Sequence, residues 1–247
     1  MSTVSGELRR ATSEFLGSLL LAALVIGSGI AAQTLSPGDV GLQLLENALA
    51  TAFGLFAIIL IFAPVSGAHF NPIVSLVDAA LRLRPWRDVA IYVPAQILGC
   101  VVGAILANIM FALPAVSISS ADRMTSAHFV AEIVASAGLI LVIFSLARSG
   151  RSAWAAPAVG AYIGAAYFFT SSASFANPAI TIGRMFSDTF AGIAPSSTPG
   201  YIGAQIIGAA VAFAIIRYLY PRPRYGQSAE VVLTESPESP EGIPPKG

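Results

Sequence analysis

The sequence predicts an all-α membrane protein with six transmembrane helices and two re-entrant half-helices in an inverted repeat. Three observations carry that prediction. The chain of 247 residues is 55% hydrophobic and 11% charged, whereas soluble domains carry about 25% charged residues. Six apolar runs are long enough to cross a bilayer. The tripeptide Asn71-Pro72-Ile73 returns as Asn177-Pro178-Ala179, each time just after an apolar run.

The long elements come first. A spanning helix needs about 20 mostly apolar residues. Spans are predicted over 11–33, 43–65, 88–112, 127–148, 153–172 and 199–220. The first run continues past the length of a signal-peptide core, so Arg9-Arg10 opens a span and not a leader. Basic residues give an independent test. Arg9, Arg10, Arg82, Arg84, Arg87, Arg148, Arg151, Arg217, Arg222, Arg224 and Lys246 fall on one side of a six-span chain. Only Arg123 and Arg184 fall on the other. The excess places both termini in the cytoplasm and the chain in the plasma membrane. A channel domain over 1–224, with repeats over 8–112 and 127–220, precedes a tail over 225–247. That tail is rich in Pro, Glu and Ser and is predicted to be disordered.

The short elements lie at 71–81 and 177–187. Asn is a strong N-cap, and Pro is tolerated at the first helical position because its missing N–H has no partner there anyway. Each Asn-Pro therefore starts a helix, too short to span, inside membrane-grade sequence. Irregular backbone at that depth must line a cavity, because it cannot face lipid. A lone Asn-Pro is an ordinary cap; the paired occurrence is what points to a pore.

Other landmarks repeat in the same order. Glu14 and Glu132 lie in the first and fourth spans, and Gln96 and Gln205 in the third and sixth, each Gln within Ala-Gln-Ile. Three spans per unit make the second unit inverted, so the half-helices enter from opposite faces and meet near the midplane. The two acids have two readings: ion or proton coupling, or acceptance of backbone N–H groups from the loops leading into the half-helices. Their symmetry favours the second. Cys100 lies in an apolar run and reads as packing. Gly99, Gly103, Gly160 and Gly164 suit close helix packing.

Composition excludes other classes. With 13 basic and 13 acidic residues the net charge is zero, so nothing points to nucleic acid. No catalytic Ser/His, paired Asp or His-Glu-x-x-His arrangement lies within the spans, so the chain is not read as an enzyme. The competing class is an inverted-repeat secondary active transporter of a small solute, with Glu14 and Glu132 as its coupling acids.

On Glu14, Ser66–Ser75, Gln96, Glu132, Ser174–Ile182 and Gln205, the chain resembles the major intrinsic protein family, the aquaporins and aquaglyceroporins. The resemblance covers about residues 8–221. It implies a homotetramer in the lipid bilayer, one pore per subunit, passive flow of small neutral solutes and no cofactor or metal. It implies that Asn71 and Asn177 face the solute at the midplane. It also implies that backbone from Gly67-Ala68-His69 and Ser174-Phe175-Ala176 lines one wall. The family's filter Arg, directly after the second Asn-Pro-Ala, is here Ile180. Family spacing puts the remaining filter positions at Thr51, Ala165 and Ser174. This set implies a wide, Arg-less constriction for water, polyols or undissociated metalloid acids. The segment Asn177–Phe190 is similar to a bacterial branch associated with arsenic resistance. Arg184, one turn beyond Ile180, has two readings: an interfacial Arg, which is favoured, or a partial replacement at the outer mouth, with Asp188 as its partner. Ile73 replaces the family's Ala and has two readings: packing behind its half-helix, which is favoured, or narrowing the midplane. His69 at the inner mouth has two readings, a hydrogen-bonded structural group, which is favoured, or a gate that responds to protonation; His128 is expected to be interfacial.

Overall fold

The computed structural model describes residues 3–221; the expected tail over 225–247 lies outside them. Eight α-helices follow in order: α1 Thr3–Leu35, α2 Val40–Ser66, α3 Pro72–Ala80, α4 Trp86–Met110, α5 Ser126–Arg148, α6 Ala155–Phe169, α7 Pro178–Gly183 and α8 Thr198–Leu219. Among the described residues, α1, α2, α4, α5 and α8 are long and apolar enough to cross a membrane by themselves.

The fifth span differs from expectation. It was expected over 153–172, yet α6 holds only 15 residues, about 22 Å at 1.5 Å per residue. A 3-10 turn, Ser152–Trp154, precedes it. At its other end Thr170 turns its Oγ1 back to the Ala166 carbonyl at 2.6 Å. The chain then leaves the helix through Ser171 and Ser172 toward the second Asn-Pro motif. The second half-helix is also shorter than its expected 177–187. It ends at Gly183 and tightens into a 3-10 turn over Arg184–Phe186.

Local chemistry explains the helix ends. Asp39 caps α2, its Oδ1 accepting from Leu42 N at 2.9 Å. Gly67 closes α2 at φ 91°, a left-handed conformation that only glycine takes without cost. Thr125 caps α5 by accepting from His128 N. Asn71 and Asn177 cap α3 and α7, each with Pro at the first helical position.

The two halves pack alike. α1 lies against α4 and α5 against α8, while α2 meets α6 across the halves. Glycines let these backbones touch. A Cβ on Gly99 would lie 2.3 Å from the Phe15 carbonyl oxygen, on Gly208 2.4 Å from that of Ile133, and on Gly160 2.6 Å from that of Ala52. Small residues at such crossings supply dispersion contact where lipid offers no hydrophobic drive between helices. The short helices α3 and α7 meet at the centre of the bundle.

Candidate functional site

Each pore loop hangs from one buried glutamate. Glu14 Oε1 accepts from Ser66 Oγ at 2.6 Å and His69 N at 3.0 Å. Its Oε2 accepts from Phe70 N at 2.8 Å and Gln96 Nε2 at 2.7 Å. Glu132 repeats the pattern in the other half. Its Oε1 takes Ser172 Oγ at 2.6 Å and Phe175 N at 2.9 Å. Its Oε2 takes Ala176 N at 2.9 Å and Gln205 Nε2 at 2.7 Å. Both carboxylates are fully buried, and four donors occupy each. Gln96 Nε2 also donates to Ser75 Oγ, and Gln205 Nε2 to Thr181 Oγ1, so each glutamine joins its loop to its half-helix.

The glutamates hold a strained backbone. Ala68, Phe70, Ser174 and Ala176 have φ of 52°, 49°, 47° and 48°. Left-handed conformation in a residue with a Cβ costs about 1 kcal/mol each, and such strain persists only where the surroundings over-determine it. Here the N–H groups of His69, Phe70, Phe175 and Ala176 are all taken from behind by carboxylate.

The half-helices are joined tip to tip. Asn71 Nδ2 donates to the Ala176 carbonyl and Asn177 Nδ2 to the Phe70 carbonyl, both at 2.8 Å. Each Asn oxygen accepts from its own helix: Ile73 N at 3.1 Å for Asn71, and Ala179 N at 2.9 Å and Ile180 N at 3.3 Å for Asn177. The amide orientation is thereby fixed, and one N–H of each Asn remains for the lumen.

A narrow cavity of about 70 Å³ passes these tips, room for a short file of water-sized molecules. One wall is apolar: Leu21 and Val25 from α1, Leu55 and Ile59 from α2, Leu139 and Ile143 from α5, and Val159 and Ile163 from α6. The other wall holds Gly67, Ala68, His69, Phe70 and Asn71, then Ser174, Phe175 and Asn177. Thr51 and Tyr167 add hydroxyls, 3.2 Å apart. Val74, Ile180 and Arg184 complete the lining.

Thr51, Ser174 and Ile180 thus lie on the cavity as expected positions, but Ala165 does not. Ala165 is exposed on the outside of α6. The helix period puts Val159, Ile163 and Tyr167 on the cavity face, and Ala165, two residues from either of the last two, points away. Spacing from the Asn-Pro motif fixes distance along the chain but not the face of α6 that a residue occupies. Sequence reasoning missed Tyr167; the i, i+4 stripe 159–163–167 was the signal that could have found it. Ala176 is buried behind the tip, its carbonyl given to Asn71. Ile73 is fully buried away from the lumen.

Arg184 corrects the interfacial reading. Its side chain is 4% exposed and lines the cavity. Its guanidinium stacks on Phe175, 3.4 Å from the ring centroid, and its Nε donates to the Ala191 carbonyl. Asp188 does not pair with it; that carboxylate takes Ser120 N at 2.9 Å and Ser120 Oγ at 3.1 Å. An Arg therefore lines the lumen a helical turn beyond Ile180.

At the opposite end, His69 Nδ1 lies 2.9 Å from Ser75 Oγ, its Nε2 3.4 Å from Asp78, and its ring edge-on to Tyr92. Arg84 donates to Asp78 at 2.9 Å, to Tyr92 OH at 3.0 Å and to the Ser66 carbonyl at 3.1 Å. His128 is half-buried, its Nδ1 against the Arg123 carbonyl. Cys100 is buried, its Sγ toward the Ser18 carbonyl.

Paired half-helices capped by Asn-Pro, hung from two glutamates around one lumen, define a membrane channel. The comparisons identify the class. Residues 1–175 match the Major intrinsic protein family, and the chain belongs to it. It is 43% identical over 233 residues to Aquaglyceroporin AqpS of Rhizobium meliloti (strain 1021), covering 94% of this chain and 96% of that one. It is 31% identical over 196 residues to Aquaporin TIP1-1 of Arabidopsis thaliana, covering 74% and 76%. The X-ray structure of the aquaglyceroporin from Plasmodium falciparum superposes with a TM-score of 0.66 at 23% identity, over 85% of this chain and 95% of that one. The protein is a passive, non-enzymatic membrane channel for small solutes; the coupled-transporter alternative is not favoured.

Proposed function

We propose that this channel conducts small neutral solutes that carry several hydroxyl groups: glycerol-like polyols and undissociated metalloid or arsenical acids, together with water. The observation that carries the reading is the two-sided lumen. Its apolar wall accepts a carbon or metalloid face, while Asn71, Asn177, Ser174 and the Thr51–Tyr167 pair offer hydrogen bonds to hydroxyls. A polyol or a trihydroxy acid presents both faces at once, and a hydrated ion presents neither. The name of the Rhizobium relative, an aquaglyceroporin, points the same way. The working form is a homotetramer in the plasma membrane, with both termini cytoplasmic and Arg184 toward the outside.

Arg184 is the cation barrier in this reading. A buried guanidinium and the positive N-terminal ends of α3 and α7 raise the energy of hydronium or sodium in the file. Ile180 beside it keeps that stretch apolar. Stopped-flow light scattering of proteoliposomes with water, glycerol, urea and an arsenous acid tests the solute class. Glycerol and the arsenical are expected to cross well above protein-free vesicles. A chain that passes water alone refutes the polyol reading. With Arg184→Ala, glycerol flux is expected to persist while proton leak rises about tenfold; unchanged leak removes Arg184 from the barrier.

A further inference from the structure

Two guanidinium groups gather around Phe175 at the Arg184 end of the lumen. Arg123 Nε donates to the Gly192 carbonyl at 2.6 Å and its Nη2 to the Phe190 carbonyl at 2.7 Å. Arg184 Nε takes the carbonyl between them, Ala191. Both cations also lie over the Phe175 ring, 5.8 Å and 3.4 Å from its centroid. Three consecutive carbonyls thus anchor the two groups, and Phe175 is common to both.

Among the described residues, no carboxylate forms a salt bridge with either. The acids nearest in sequence are engaged elsewhere: Asp122 with Ser197 Oγ and Met124 N, and Asp188 with Ser120. Neighbouring hydroxyls are also without partners. Ser174 Oγ, in a residue 3% exposed that lines the lumen, and Tyr201 OH, in a fully buried residue 5.0 Å from Phe175 ring to ring, have no hydrogen-bond partner. Neither terminal nitrogen of Arg184 donates to protein among the described residues. The site therefore offers donors and positive charge. Two like charges held close in a poorly solvated place are costly, and a single counter-charge relieves both.

We propose that this end of the pore binds a small monovalent oxyanion, held by the guanidinium groups of Arg123 and Arg184 beside Phe175. The fork geometry of guanidinium suits two oxygens of a planar or tetrahedral oxyanion. Bound there, the anion stands in the path of the neutral solute and competes with it. This last point rests on the channel reading above; the binding itself does not.

The test uses sodium nitrate as the probe and sodium gluconate, a much bulkier monovalent anion, as the ionic-strength control. Calorimetric titration of the full chain in detergent is expected to give saturable nitrate binding. Arg123→Gln is expected to weaken it about tenfold, as loss of one charge-assisted contact does. Arg123→Lys, which keeps the charge but loses the fork, is expected to bind nitrate measurably more weakly than wild type and more tightly than Arg123→Gln, and Tyr201→Phe to weaken binding. Should Arg123→Gln fail to fold, Arg123→Lys and Tyr201→Phe decide the matter. In proteoliposomes, glycerol flux is expected to fall saturably with nitrate added on the Arg184 side. No saturable nitrate heat, or equal affinity in wild type and the Arg123→Gln and Tyr201→Phe variants, overturns the proposal. Glycerol flux that ignores nitrate overturns the competition. Absence of any glycerol flux refutes the solute class instead, and the calorimetry still decides the site.

Discussion

Replacing Glu132 by glutamine puts an amide NH2 where an acceptor is needed. Either way the amide turns, the NH2 faces two donors: Ser172 Oγ and Phe175 N on one side, Ala176 N and Gln205 Nε2 on the other. Glu132→Gln is therefore expected to destabilise the protein by about 3 kcal/mol, read as a lowered melting temperature in detergent, and to slow glycerol flux as the left-handed residues relax. At the membrane surface, Asp188 and Asp122 are held below the usual carboxylate range by bonds from Ser120 backbone and side chain and from Ser197 and Met124. A lowered folded-state value means the stabilisation is present above the unfolded value and is lost as pH falls through the folded one. The loops are thus expected to hold from neutral pH down to about pH 4 and to loosen below it. Hydrogen exchange at Ser120 checks this; Asp188→Asn should expose that amide already at neutral pH.

Among the elements, the pairs α1–α4 and α5–α8 set the frame, and each relies on glycine at the crossing. Gly208→Ala would place a methyl 2.4 Å from the Ile133 carbonyl oxygen. Overpacking of that kind costs about 1–3 kcal/mol, and the same size of loss is expected for Gly99→Ala against Phe15. Matched melting-temperature drops check the equivalence of the two halves. The helices that carry these contacts were readable because an apolar run of bilayer length has few alternatives. Glu14, Glu132, Gln96 and Gln205 were readable because each occurs twice in the same order. Ala165 was misplaced because spacing from the motif does not say which face of α6 it occupies, and the cavity face is the 159–163–167 stripe. Arg184 was misread for a related reason. One turn beyond Ile180 on a regular helix points toward the interface, but the chain tightens into a 3-10 turn there and Phe175, from the preceding loop, draws the guanidinium inward.

Across the whole molecule, the repeat keeps its framework and varies its charges. Ser66 and Ser172, Asn71 and Asn177, and Ser75 and Thr181 make equivalent bonds in the two halves. The aromatic pairs are equivalent too: His69 with Tyr92, and Phe175 with Tyr201. Counting from each Asn-Pro motif, Asp78 and Arg184 are counterparts. Asp78 has Arg84 beside it at 2.9 Å, whereas Arg184 has no carboxylate among the described residues. Asp78 is thus ion-paired while its counterpart Arg184 is held by a carbonyl and a ring, a difference that the matching framework conceals in the sequence.

A channel of this build works without coupling, because both membrane glutamates are spent on holding loops. The initial rate of glycerol entry into proteoliposomes, measured against concentration in both directions, tests that most directly. The predicted result is a rate that rises linearly, is the same inward and outward, and ignores a proton ionophore. Saturating uptake against a gradient, abolished by the ionophore, would contradict it.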